Sequence, residues 1–267
     1  MSVTPAAHGY YGDDMTGVWL AALSGLISGG TLLLGAAVAW FVQIPQRFVA
    51  GVLALGGGVL IATLAFELVL EAADDGGPVP TSIGFAAGAV IYIVADWLVS
   101  RPPRPAEHPP ANVVARRGSA RLAGGSGVAI AIGALIDGIP ESIVMGLSVV
   151  GGGISIPIVA AVAISNFPEG LGSTAELKRS GATLRVVGLL WGGIALATVV
   201  ACVVGYLAFQ SAPPFVVALT TATAAGGLLA MICNTMIPEA FENQRMLTGL
   251  WATLGFLGAF LLHEAGG

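Results

Sequence analysis

The stretch ALIDGIPESIVMGL, residues 134–147, places two acids and a proline inside one of the most apolar segments of the chain. The stretch AISNFPEGLGS, residues 163–173, is a near-repeat in which the Pro-Glu pair recurs at an offset of 28 residues. Proline removes a backbone hydrogen bond from a helix, and an acid is costly in apolar surroundings. Two copies of such an unfavourable pattern indicate paired helices that carry a functional site.

The composition predicts an integral membrane protein. Of the 267 residues, 56% are hydrophobic and only 9% are charged, and the mean hydropathy is +0.90. A soluble domain carries about 25% charged residues, so a chain this apolar belongs in a bilayer. The 39 glycines agree with that assignment, because small residues allow membrane helices to approach closely.

Eight apolar segments are long enough to cross a bilayer as helices, which takes about 20 residues each. They are too long, and alternate too little, to be strands of a membrane barrel. We therefore predict an all-α fold with eight transmembrane helices in a single transport domain, residues 1–267. The predicted spans are residues 17–42, 48–73, 80–100, 127–150, 154–177, 182–210, 214–240 and 247–263.

The positive charges predict the orientation in the membrane. All ten Lys and Arg residues follow odd-numbered spans, and cytoplasmic loops carry the excess of positive charge. Both termini are therefore predicted to lie outside. The longest loop, residues 101–126, is rich in Pro and Arg and is predicted to be a flexible cytoplasmic segment. His8, His108 and His263 lie in loops or termini, and none is predicted to be a ligand inside the membrane.

The paired motifs meet near the middle of the membrane, because span four runs outward and span five runs inward. Residues four positions apart share a helix face, so Asp137 stacks with Glu141 and Ser165 stacks with Glu169. An ionised carboxylate near the bilayer centre costs at least about 3 kcal/mol. A bound cation or shared protons would offset that cost and the repulsion between the acids.

Pro140 and Pro168 support this interpretation. Each is predicted to kink its helix and to leave the carbonyl four residues earlier, of Ile136 or Ile164, without its helical partner. Such a carbonyl needs a neighbour, water or an ion inside a membrane. Freed carbonyls beside carboxylates on two facing helices form a hard-oxygen cation site.

A weaker repeat relates GVLIATLAFELVLEA, residues 58–72, to GGLLAMICNTMIPEA, residues 226–240, at an offset of 168 residues. Span two runs outward and span seven runs inward, so the repeat is inverted, as in many secondary transporters. Glu67 lies toward the outer end of span two, and Glu239 lies at the inner end of span seven. Together with the midplane acids, these two residues predict a path for cations.

These motifs resemble those of the ZIP (zinc- and iron-regulated transporter-like) metal-ion transporters, over essentially the whole chain. That family has eight spans, both termini outside and a variable cytoplasmic loop after span three. Its signatures are His-Asn-x-Pro-Glu-Gly in span four and His-(Asn/Asp)-x-Pro-Glu-Gly in span five, and an Ile-Pro-Glu-like element, here residues 237–239, closes span seven. The resemblance implies a binuclear metal centre that transports divalent metal ions.

The departures from the family motifs change the expected metal. Asp137 and Ser165 stand where the family has histidine, and Gly138 replaces its Asn. An all-oxygen site suits Mn²⁺, Mg²⁺, Ca²⁺ or Fe²⁺ better than Zn²⁺ or Cu²⁺, although Zn²⁺ tolerates carboxylates. We expect one well-formed site rather than two. The expected ligands are Asp137, Glu141, Ser165, Asn166 and Glu169, with Glu67, Asn234 and Glu239 along the path.

Two other functions stay open at this point. The carboxylates could form a proton relay in a transporter of another solute, or the chain could be a non-transporting membrane scaffold. We expect no enzyme activity, no organic cofactor and no nucleic-acid partner, since the chain has no basic stripe. The expected partners are the lipid bilayer and metal ions, a homodimer is left open, and a multi-pass position in a bacterial plasma membrane is the simplest location.

Overall fold

The computed structural model describes residues 14–99, 127–150 and 152–266. These residues are helical almost throughout, and no strand occurs among them. The all-α prediction is therefore confirmed for the described part of the chain. The predicted loop 101–126 lies outside it, as do His8 and His108.

Two of the long helical rods contain a short π-helical segment. These segments, π1 (Leu64–Val69) and π2 (Ile232–Met236), join α2 to α3 and α8 to α9 without a break. The α-helices are α1 Asp14–Phe41, α2 Gln46–Thr63, α3 Leu70–Gly76, α4 Pro78–Val99, α5 Gly127–Val150, α6 Ile156–Arg179, α7 Leu184–Phe209, α8 Pro214–Met231, α9 Ile237–Gln244 and α10 Met246–Gly266.

The helices begin and end where turn chemistry allows it. Gly77 and Gly181 follow helix ends with φ of 84° and 87°, a conformation that glycine adopts without steric cost. Ser155 and Thr183 precede α6 and α7, and their side-chain oxygens accept a hydrogen bond from the backbone N–H three residues later. Such caps satisfy N–H groups that the helix itself leaves unpaired.

Each of the eight predicted apolar segments forms a helix. Seven helices in the described ranges are long and apolar enough to cross a membrane, so the chain is a multi-pass helical membrane protein. The predicted fifth span forms α6, whose 24 residues extend about 36 Å. That length exceeds a hydrocarbon core of about 30 Å, but Asn166 and Glu169 make α6 more polar than the other seven.

Burial separates inner helices from outer ones. In the most apolar stretch of 18 residues of the rod Gln46–Gly76, 72% of the residues are buried, whereas in that of α10 only 17% are buried. Parts of α5 and of the rod Pro214–Gln244 are also more than half buried, at 53% and 56%, and α6 packs against α1 and α2. The acid-bearing helices therefore form the interior of the bundle, and α4, α7 and α10 lie on its outside.

The helix boundaries repeat at the 168-residue offset found in the sequence. The first three predicted spans contain α1 to α4, and the last three contain α7 to α10, so the repeat covers three spans on each side of α5 and α6. The ends of α1 and α7 match, at Phe41 and Phe209. So do the starts of three pairs of elements: α2 and α8 at Gln46 and Pro214, π1 and π2 at Leu64 and Ile232, and α4 and α10 at Pro78 and Met246.

Glycines bring the repeated helices into equivalent close contacts. A Cβ atom on Gly58 of α2 would lie 1.9 Å from the Ala252 carbonyl oxygen of α10, and one on Gly226 of α8 would lie 1.9 Å from the Phe85 carbonyl oxygen of α4. Glycine is therefore required for these helix pairs to approach so closely. In the reverse direction, a Cβ atom on Gly255 would lie 2.0 Å from the Leu55 carbonyl oxygen, and one on Gly88 would lie 1.8 Å from the Thr223 carbonyl oxygen.

The prolines and the helical irregularities lie at different places. Both Pro140 and Pro168 lie inside continuous α-helices, and the kinks expected at them stay a prediction. The π-helical segments of the described ranges, π1 and π2, lie in two other rods and were not predicted from the sequence. A π-helical turn adds one residue to a helical turn and is frequent at functional sites.

Candidate functional site

A buried cavity lies between the inner helices, and the paired motifs form much of its wall. Its volume is about 40 Å³. Four carboxylates are among its lining residues in the described part of the chain. The lining residues are Leu53 of α2, Asp137 and Glu141 of α5, Ser165, Pro168, Glu169, Gly172 and Ser173 of α6, and Met231, Thr235, Met236 and Glu239 of the rod Pro214–Gln244.

Asp137 and Glu141 reach the cavity from adjacent turns of α5. Their exposed fractions are 8% and 3%, so both acids are buried within the bundle. The Ser165 hydroxyl of α6 lies 3.3 Å from Glu141 Oε1 and donates a hydrogen bond to it. Asp137, Glu141, Ser165 and Glu169 all line the cavity, and the hydrogen bond between Ser165 and Glu141 brings the two motifs into direct contact.

Glu169 and Glu239 complete the acidic lining. Both line the same cavity as Asp137 and Glu141, and Glu239 Oε1 lies 3.9 Å from where a Cβ atom on Gly172 would be. Within the described ranges, however, no three His, Cys, Asp or Glu side chains lie close enough together to hold one metal ion. Any ion bound here would need hydroxyl, carbonyl or water oxygens in addition to the carboxylates.

Tyr92 of α4 stands behind the cavity wall and was not predicted as a site residue. Its phenol is 4% exposed and donates to Asp137 Oδ1 at 3.1 Å. The phenol oxygen of Tyr92 also lies 3.2 Å from Thr235 Oγ1 of π2. In the sequence, Tyr92 is only a phenol in the apolar stretch of span three. Its two partners lie 45 and 143 residues away, so no local spacing indicates these contacts.

Two predicted site residues lie away from the cavity. Asn166 is 5% exposed, and its side-chain amide donates to Ser28 Oγ of α1 at 2.7 Å. It therefore joins α6 to α1 rather than lining the cavity. Asn234 lies in π2 but is exposed on the bundle surface, whereas the adjacent Thr235 lines the cavity. Whether either residue contributes to function stays a prediction.

Glu67, predicted to stand at the outer mouth, lies in a separate open groove. Its Oε1 is 2.7 Å from His263 Nδ1 of α10, and Ser155 Oγ donates to its Oε2 at 3.4 Å. His263 also stacks on Phe66, with ring centroids 5.4 Å apart. His263 was predicted to be a solvated terminal residue, but the fold brings it into contact with Glu67.

No protein-family model and no curated protein matches this chain. The fold and the cavity nevertheless define a class, a multi-pass helical membrane protein with a carboxylate-lined cavity inside the bundle.

Proposed function

We propose that this protein is a divalent metal-ion transporter of the ZIP type, which moves metal toward the cytoplasm through the carboxylate-lined cavity. In this proposal the chain crosses a bacterial plasma membrane eight times, with α6 as the fifth span and both termini outside. The distribution of all ten Lys and Arg residues after odd-numbered spans supports that orientation.

One observation carries the proposal: Asp137, Glu141, Glu169 and Glu239 line a single cavity among apolar helices. Burying one ionised carboxylate in a membrane costs at least about 3 kcal/mol, and neighbouring carboxylates repel one another as well. A divalent cation offsets both costs because it attracts all four groups. Intramembrane acids facing a bundle interior are characteristic of ion pathways.

The donor atoms favour a hard cation. Seven carboxylate or hydroxyl side chains line the cavity against two thioethers, those of Met231 and Met236, and no imidazole or thiol is among its described lining residues. Oxygen ligands suit Mn²⁺, Mg²⁺, Ca²⁺ and Fe²⁺. The proposed transport order is therefore Mn²⁺ or Fe²⁺ ahead of Zn²⁺, with Ser165, Thr235 and water completing the coordination shell.

The repeated architecture supports alternating access as the mechanism. The units α1–α4 and α7–α10 share their helix boundaries at one offset, and inverted repeats of this kind rock around a site at the midplane. We propose that the cation enters past Glu67, binds between α5 and α6, and leaves past Glu239.

A specific observation favours a second function, a proton-coupled transporter of another solute. Hydroxyl groups connect the acids in two hydrogen-bonded sets: Ser165 with Glu141, and Thr235 and Tyr92 with Asp137. Chains of carboxyl groups with such partners are found in proton relays. The lack of three closely grouped metal ligands in the described residues is also compatible with this function.

Thermal melting of the purified protein distinguishes the two functions. We expect Mn²⁺ to raise the melting temperature, because a ligand at 100 times its Kd stabilises the folded state by about 2.7 kcal/mol. Mn²⁺, Fe²⁺, Mg²⁺, Ca²⁺ and Zn²⁺ are compared at equal free concentration. Melting that responds to pH but to none of these ions would support the proton relay. Stronger stabilisation by Zn²⁺ than by Mn²⁺ would contradict the argument from hard ligands.

A further inference from the structure

Tyr92 belongs to the outer helix α4, yet it is bonded to two residues of the central cavity. Its oxygen contacts Asp137 of α5 at 3.1 Å and Thr235 of π2 at 3.2 Å. A phenol has one proton, so when Tyr92 donates it to the Asp137 carboxylate, the Thr235 hydroxyl donates to Tyr92. The three side chains then form a directed chain of hydrogen bonds that ends on Asp137.

The backbone around Tyr92 is held firmly against α8. Glycines at positions 88 and 226 bring α4 and α8 into close contact. A Cβ atom on Gly227 of α8 would lie 4.0 Å from Tyr92 Cβ and 3.9 Å from Pro140 Cγ of α5. Three helices therefore meet at Gly227, and the phenol of Tyr92 contacts Asp137 from this close-packed position.

We propose that Tyr92 is a positioning residue that fixes the rotation of the Asp137 carboxylate and thereby determines which cation the cavity prefers. This inference rests on the proposed function. Carboxylate ligands are commonly oriented by hydrogen bonds from a second layer of residues, and loss of such a partner lowers metal affinity about 10- to 100-fold. A rigid carboxylate discriminates by cation size, since Mg²⁺ ligands lie at about 2.0–2.1 Å and Ca²⁺ ligands at about 2.3–2.6 Å.

The substitution Tyr92→Phe tests the inference, because it keeps the ring and removes only the hydroxyl. In proteoliposomes made with the full chain, we expect KM for Mn²⁺ to rise about 10- to 100-fold with a smaller change in maximal rate. Ca²⁺ should compete with Mn²⁺ more effectively than in the unmodified protein, because the carboxylate can then turn to accept the larger ion. A change in packing alone would not alter this competition ratio.

Tyr206→Phe is the matched control. Tyr206 is also buried, with 7% exposure, but it lies on α7 in a cluster with Ala21 and Val149 and does not line the cavity. This variant should keep both KM and the competition ratio. Asp137→Asn combined with Tyr92→Phe should lose no more affinity than Asp137→Asn alone if Tyr92 acts through Asp137.

The outcomes separate the inference from the proposed function. If the unmodified protein transports Mn²⁺ and Tyr92→Phe behaves like Tyr206→Phe, the positioning role of Tyr92 is wrong and the proposed function stands. If the unmodified protein neither transports nor binds any of the divalent ions, the proposed function is wrong and the inference is wrong with it.

Discussion

Glu141→Gln is expected to abolish cation-dependent stabilisation and to lower metal uptake at least about 100-fold. Glu141 is the most deeply buried of the four acids that line the cavity, with 3% exposure, and it accepts a hydrogen bond from Ser165 on the facing helix. The amide retains the shape of the side chain but removes its charge. Loss of a direct ligand should exceed the 10- to 100-fold effect typical of a residue that only orients one.

The same variant should not destabilise the protein in the absence of divalent cations. Asp137, Glu169 and Glu239 line the same cavity as Glu141, so removing the Glu141 charge relieves repulsion between like charges in a buried region. The melting temperature without metal should therefore stay the same or rise, while the increase on adding Mn²⁺ disappears.

Asp74→Asn is the control for Glu141→Gln, because it also removes one negative charge but lies exposed at the end of α3. It should melt and transport as the unmodified protein does. If Glu141→Gln retains uptake and the Mn²⁺-dependent increase in melting temperature, the cavity is not the metal site. Uptake in proteoliposomes and melting curves with and without Mn²⁺ provide both measurements.

Gly226→Ala is expected to lower the melting temperature strongly. The added methyl carbon would lie 1.9 Å from the carbonyl oxygen of Phe85, where an ordinary contact is about 3.5 Å or longer. Backbone atoms of α4 and α8 must then move apart, and overpacking of this kind costs about 1–3 kcal/mol or more. The equivalent substitution Gly58→Ala should have a similar effect, because its methyl carbon would lie 1.9 Å from the Ala252 carbonyl oxygen.

Gly192→Ala is the matched control for these glycine substitutions. Gly192 lies inside α7, and a Cβ atom there would meet no heavy atom within 4 Å. Alanine has a higher helix propensity than glycine by about 1 kcal/mol, so this variant should melt at the same temperature or slightly higher. Equal melting temperatures for Gly226→Ala and Gly192→Ala would contradict the close helix contact.

Since α8 leads into π2, we also expect Gly226→Ala to reduce transport.

Much of the fold was predictable from local sequence. The predicted start of span four at residue 127 and its end at 150 coincide with α5, and span seven begins at Pro214 as predicted. Such boundaries are readable because bilayer length and turn residues act over a few neighbouring positions. The facing of Asp137 and Glu141 on one side of α5 follows equally from helical periodicity.

The contents of the site were only partly predictable. Asn166 was expected to face the cavity with Ser165, but its amide bonds to Ser28, 138 residues away. Tyr92 and His263 were not expected to contact the acids at all, because a lone Tyr or His carries no spacing that reveals a partner. The π-helical segments likewise had no signal in the sequence, since nothing local marks the start of π1.

The sequence by itself determined the class of fold: apolar helices long enough for a bilayer, two acid-bearing motifs at matching depth, and a repeat at an offset of 168 residues. Only the tertiary structure decided which side chains face each other. It placed Tyr92 on Asp137, His263 on Glu67 and Asn166 on Ser28. The physical reason is the range of the interactions. Helix formation and burial in a bilayer depend on neighbouring residues. The contacts between side chains depend instead on how closely packed helices, with glycines at their crossings, are rotated against one another.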